Sequence, residues 1–222
     1  FEIGKSFRAG DPPIETPRLA LVATGTAAAE QWGVSAREID FFDLKGDLEQ
    51  LFALTGQAAA FSLRPARVPW LHAGRGAELL REGRVVGFAG CLDPRLAGEL
   101  GLPGDVYVAE LELAALSARD LPRATDLSRY PSLRRDIAIV VEKSIEFARL
   151  EDIVRETLGP LLREFVLFDE FAGKGLPENT RSLAMGLILQ EASRTLADVD
   201  ADSAVQSVLA ALEGKTGARL RG

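Results

Sequence analysis

Over residues 134–142 the chain reads RRDIAIVVE, and its apolar positions fall two apart. Ile137, Ile139 and Val141 lie on one side, and Asp136, Ala138 and Val140 on the other. That period predicts a strand with one buried face. Over the next stretch, IEFARLEDIVRETLG, the spacing lengthens. Phe147, Leu150, Val154 and Leu158 recur at helical intervals with Ile153 beside them, charged residues fill the other side, and Gly159-Pro160 ends the run. REFVLFDEFAG (163–173) predicts a second strand, KGLPEN a turn, and SLAMGLILQ (182–190) a third strand. A helix is expected over 199–213, with Val205, Val208, Leu209 and Leu212 as its apolar stripe, Asp198 and Asp200 available to cap it and Gly214 to stop it. The ending GARLRG is long enough for a short last strand.

The order β-α-β-β-α-β is the split βαβ arrangement of ferredoxin-like folds, with two helices on one face of a four-stranded sheet and the other face free. Before it, RLALVATG (18–25) reads as a buried strand. IDFFDLKGDLEQLFALTG (39–56) reads as a helix with Phe42, Leu48, Leu51 and Phe52 packed inward, REGRVVGFAGCL (81–92) as a hairpin, and VYVAELEL (106–113) alternates again. An antiparallel sheet with helices against it is expected, so the whole is α+β. Between the halves, LSARDLPRATDLSRYP (116–131) mixes prolines, charges and small polar residues without apolar periodicity. It reads as an exposed connection between domains 1–120 and 128–222.

Composition narrows the function classes. With 222 residues, 47% hydrophobic and 27% charged, this is a folded chain. A formal net charge of −7 argues against a nonspecific nucleic-acid binder, which shows a broad basic face. It leaves room for a local site: residues 1–120 hold 12 Lys+Arg against 17 Asp+Glu, residues 121–222 hold 14 against 16. One cysteine, Cys91, and one histidine, His72, make no cluster with zinc-ligand spacing. No apolar run approaches the roughly 18–20 residues needed to cross a bilayer, and FEIGKSFRAG lacks the layout of a secretion signal, so a cytoplasmic protein with no membrane partner is expected. The start at Phe1, within a strand pattern, is expected to belong to a longer chain.

Few residues offer chemistry. HAGR (72–75) lacks a serine or cysteine activated by its histidine, and Cys91 sits in an apolar hairpin, so a packing or backbone role is expected. Asp40, Asp43 and Asp47 are three and four apart on a helix and read as one solvated face rather than a cation site. The adjacent Arg134 and Arg135 at a strand entrance suit a phosphate or base, because a guanidinium is a planar fork of donors. They equally suit an edge kept soluble by pairing with Glu142 or Asp169.

Residues 128–222 resemble the ferredoxin-fold anticodon-binding domain of bacterial phenylalanyl-tRNA synthetase β subunits. The resemblance runs through YPSLRRDIAIVV, VLFDEFAGKGLPENTRSLAMGLILQ, the RTLAD run and GARLRG. The first half is similar to the catalytic-like module preceding it in that subunit, through FEIGKSF, QWG, DFFDLKGDLEQL and LHAGRGAELLREGRVVGFAGCLDP. GFAGCLDPR lacks the dense glycines of a phosphate cradle, so the module is read as synthetase architecture without an active site, and no catalytic residue is expected.

The resemblance implies that the strand entrance and the free sheet face meet the anticodon loop of tRNA(Phe). Unpaired bases there are read by stacking and by edge hydrogen bonds. Arg134 and Arg135 would contact phosphate or stack on a base, with Tyr130, Ser132 and Asp136 close by and Phe168 and Arg181 on neighbouring strands. It implies a partner α subunit that performs aminoacylation, a heterotetramer of two α and two β chains, and ATP and Mg2+ for the whole enzyme with none in this segment. The competing reading is a protein assembly module with no RNA contact.

Overall fold

The computed structural model describes residues 1–119 and 128–221. Residues 120–127, the middle of the expected connection, lie outside them. The chain divides into two compact units, Phe1–Ala124 and Thr125–Gly222.

The first unit is built on a six-stranded antiparallel sheet. Its strands are β1 (Glu2–Arg8), β2 (Ile14–Thr24), β3 (Phe61–Pro65), β4 (Leu71–Arg81), β5 (Arg84–Leu92) and β6 (Val106–Glu112), in the order β1-β2-β6-β5-β4-β3. Helix α1 (Phe41–Ala53) follows β2, and two short helices, α2 (Pro94–Glu99) and α3 (Leu113–Ser117), flank β6. Leu44, Leu48 and Phe52 of α1, spaced four apart, bury themselves against Leu19, Leu79, Ala89, Ala109 and Leu111 of the sheet. The expected inward Phe42 is corrected: it is 72% exposed. Asp40 caps α1 by accepting from the Phe42 and Asp43 amides, and this start sets a helical phase that turns Leu44 in and Phe42 out. The expected 81–92 hairpin is the β4–β5 pair, joined at Glu82 and Gly83, both with positive φ, which matches the strand twist.

The second unit runs β7 (Leu133–Glu142), α4 (Phe147–Leu158), β8 (Leu162–Phe171), β9 (Thr180–Leu189), α5 (Asp198–Thr216) and β10 (Arg219–Leu220). Its sheet order is β10-β7-β9-β8. Ile137, Ile139 and Val141 of β7 face the same side as Leu183, Met185 and Leu187 of β9. Leu150, Ile153, Val154 and Leu158 of α4, with Ala201, Ala204, Val208 and Leu212 of α5, close that side into one core. Both helices therefore cover one face and leave Arg134, Asp136, Ala138 and Val140 on the other.

Helix α5 keeps one expected cap, Asp200, and departs from expectation at its other end. Ala197 is its N-cap, and Asp200 reaches back to accept from the Ala197 amide at 3.1 Å. Gly214 does not stop it; the helix continues to Thr216 and ends where Gly217 takes φ +70 and donates to the Glu213 carbonyl.

Candidate nucleic-acid interface

The uncovered side of the second sheet is floored by small residues, Ala138 of β7 and Ser182, Ala184 and Gly186 of β9. A cation lies over an aromatic ring near each end of this trough. At one end the Arg134 guanidinium sits 5.4 Å from the Phe168 ring centroid while its Nε donates to Asp136 Oδ1 at 2.7 Å. Gly186 makes this reach possible. A Cβ there would stand 3.2 Å from Arg134 Nε and Nη2 and from Asp136 Oδ1, so Arg134 crosses β9 where a side chain is absent. Phe168 owes its aim to an irregularity between Leu167 and Asp169, where β8 carries one residue more than β9 opposes. The ring is 50% exposed.

At the other end the Arg221 guanidinium lies 5.4 Å from the Phe171 centroid and its Nη1 donates to Ser182 Oγ at 3.2 Å. The Arg221 amide donates to the Ala138 carbonyl, which continues the β10 edge one residue beyond the strand. Lys174, Arg219 and Arg221 border an open cleft of about 430 Å3 floored by Val140 and Phe171. Both stacks place a flat cation on an aromatic face in solvent, an arrangement that a nucleobase can extend or replace while the phosphate meets the charge.

Of the seven expected RNA-contacting residues, five lie within strands, divided between the two faces, and two precede β7. Arg134, Asp136 and Phe168 are together on the open one. Tyr130 is half-buried just before β7, where its carbonyl accepts from Gln190 Nε2 at 2.6 Å, and Ser132 is exposed at the strand entrance. Arg135 lies on the other face. It pairs across the ladder with Leu187, on the helix side, and donates to Asp198 Oδ1 at 2.5 Å and Asp202 Oδ1 at 2.9 Å at the start of α5. Asp198 first, then Asp202, raises its pKa above the ordinary arginine value. The expected alternative partners, Glu142 and Asp169, hold neither arginine. Arg181 also lies on the helix side: paired opposite Val141 and only 18% exposed, it donates to the Ile145 carbonyl and to Glu170, fastening the β7–α4 connection. Phe171, Arg219, Arg221 and Lys174 went unnoticed in the sequence, although the basic ending and the exposed aromatics of β8 were the available signal.

In the first unit the expected chemistry-bearing groups are engaged locally. His72 Nδ1 accepts from the Gly74 amide at 3.1 Å, and Arg75 pairs with Asp105 beside Tyr107. Cys91 is buried, and burial pushes its thiol upward, away from the reactive thiolate. Arg95 pairs with Asp93, which caps α2, so GFAGCLDPR forms a strand and a helix start. Of the three α1 carboxylates, Asp40 and Asp43 form a capping box, and Arg37 grips Asp43 through two hydrogen bonds at 2.5 and 2.6 Å. Hydrogen bonding from Arg37 leads the effects that lower the Asp43 pKa to about 2. Among the described residues no three His, Cys, Asp or Glu side chains converge as a metal set, and no helix is long and apolar enough to cross a membrane.

Comparison with known proteins covers both units. The family described as phenylalanyl tRNA synthetase beta chain CLM domain matches residues 1–113, and the ferredoxin-fold anticodon binding domain matches residues 128–221. The chain is similar to the phenylalanine–tRNA ligase beta subunit of Xanthomonas campestris pv. campestris, at 48% identity over 225 aligned positions. The proteins of the same name from Xanthomonas axonopodis pv. citri and Xylella fastidiosa are 47% and 42% identical. Each alignment covers 100% of this chain and 28% of the relative, so the chain spans little more than a quarter of the length of these relatives.

Proposed function

This chain belongs to the phenylalanyl-tRNA synthetase β-chain family, and we propose that its second unit receives the unpaired anticodon loop of tRNA(Phe) on the open sheet face. One observation carries this reading. Two cation-on-aromatic platforms, Arg134 on Phe168 and Arg221 on Phe171, flank a trough of small side chains. Bases splayed from a loop stack on such platforms, each contributing about 1–3 kcal/mol, and paired groups such as Arg134 and Asp136 can exchange partners with a base edge. Tyr130 and Ser132 stand at the entrance to the same strand. Phosphates flanking the bases would meet Lys174, Arg219 and Arg221.

The whole enzyme would join phenylalanine to its tRNA with ATP and Mg2+, and the chemistry belongs to a separate α subunit. Four of the six arginines in the first unit's sheet support that division: Arg18, Arg64, Arg75 and Arg84 are each paired with a carboxylate of this chain, leaving them poorly suited to a triphosphate. That unit's contribution is assembly with α chains, in the proposed heterotetramer of two α and two β subunits in the cytoplasm. Its exposed Phe7, Trp32, Phe42 and Leu54 supply apolar surface for contact. Anchoring the anticodon end acts at a distance by orienting the acceptor end.

The test is titration of the 222-residue chain with an RNA hairpin reproducing the tRNA(Phe) anticodon stem and loop, and with hairpins altered at each anticodon base. Affinity that falls with base changes supports decoding. Equal affinity for every loop, or no binding alongside tight capture of purified α subunit, supports the assembly reading instead.

A further inference from the structure

Arg135 stands one residue from Arg134 and on the other side of the sheet. Its guanidinium satisfies three acceptors together: Asp198 and Asp202 of α5, and, through Nη1 at 3.3 Å, the backbone carbonyl of Arg134. Asp198 and Asp202 are four apart and share one helical face, so a planar fork can bridge both. The carbonyl is part of the peptide joining Arg134 to Arg135. Fixing that peptide plane fixes the direction in which the Arg134 side chain leaves the strand. From there Arg134 crosses Gly186 to reach Phe168, passing where a Cβ would come within 3.2 Å of its Nε and Nη2.

We infer that Arg135 is a positioning residue for RNA recognition: by tying the Arg134–Arg135 peptide to the first turns of α5, it holds the Arg134 guanidinium over the open face in its binding orientation. The inference rests on the open face being the RNA site. Losing the tie leaves Arg134 able to pair with Asp136 but free to wander, so ordering it is added to the cost of binding. No phosphate contact is lost, because Arg135 is on the face away from RNA. Lysine does not substitute for it, since an ammonium cannot present the same fork to two carboxylates and a carbonyl.

A double-mutant cycle on the full chain decides the matter. Wild type, Arg134→Ala, Arg135→Gln and the double variant are titrated with the anticodon hairpin at several salt concentrations. Arg135→Gln alone is expected to weaken binding about tenfold with the salt slope unchanged, and to add less than about twofold when Arg134 is already alanine. An equal loss in both backgrounds would make Arg135 a general support of the fold and overturn the inference. So would a slope smaller by about one unit, the mark of a direct phosphate contact. A loss for Arg134→Ala with none for Arg135→Gln removes the positioning role alone, whereas no loss for Arg134→Ala removes the Arg134–Phe168 platform from the site and the positioning role with it. Asp202→Asn, which keeps the arginine, provides a second reading if Arg135→Gln does not fold; about a threefold loss that vanishes in the Arg134→Ala background is expected, and a loss that persists there contradicts the inference.

Discussion

Replacing Gly186 by alanine should separate RNA binding from stability. The added methyl would stand 3.2 Å from Arg134 Nε and Nη2 and from Asp136 Oδ1, a few tenths of an ångström closer than ordinary contact. What it meets are the ends of two side chains that are both more than half exposed, so they can shift. On the stability side, an extended glycine changed to alanine gains about 0.4–1 kcal/mol by restricting the unfolded chain. Against that stand an exposed ion pair worth about 0.2–1 kcal/mol and an exposed cation–π contact worth about 0.5–1 kcal/mol. The losses exceed the gain by about 0.7 kcal/mol at mid-range, and the net destabilisation should stay below about 1.6 kcal/mol. Binding has no such compensation. Pushing Arg134 off Phe168 removes one platform, and a base stack of about 1–3 kcal/mol corresponds to a loss of roughly 5- to 150-fold in affinity. Thermal melting and fluorescence titration of the anticodon hairpin at fixed salt measure the two quantities. A variant with an unchanged melt and unchanged RNA affinity would refute the assignment of the Arg134–Phe168 stack to the RNA contact.

Other predictions concern the folds that carry the two units. Leu150 of α4 is fully buried between helix and sheet, so Leu150→Ala should cost about 2–5 kcal/mol and lower the melting transition of the second unit by ten degrees or more, read by circular dichroism. In the first unit, the Asp43 carboxylate titrates near 2 in the folded chain against 3.8 ordinarily, so its support of the α1 start is complete above about pH 4. That support drains away as pH falls from there through 2. Asp43→Asn should flatten this part of the acid stability curve, and an unchanged curve would show that the Arg37 pairing contributes nothing.

The second unit was legible because its strands and helices obey different periods. The alternation in RRDIAIVVE and the helical stripe from Phe147 to Leu158 each reappear as an element with the expected buried side. The same alternation separates the two arginines. Successive strand residues point to opposite faces, so Arg134 belongs with Asp136 and Ala138, and Arg135 with Ile137. Arg181 belongs with Leu183 by the same rule. The placement of Phe168 was not legible, because a bulge exists only relative to the strand it opposes. The Phe171–Arg221 stack depends on the registers of β8, β9 and β10 together, none of which a single segment encodes. Phe42 and Gly214 show the limits of local rules. A capping box set the phase of α1, and α5 continued past Gly214 to an end set by the left-handed Gly217.

Photocrosslinking of the 222-residue chain to the tRNA(Phe) anticodon hairpin, with the probe placed on each loop base in turn, asks most directly which surface meets RNA. Adducts at Arg134, Phe168, Phe171 and Arg221 are predicted, all on the side of the sheet that α4 and α5 leave bare. Adducts confined to those helices, or to the first unit, would contradict it.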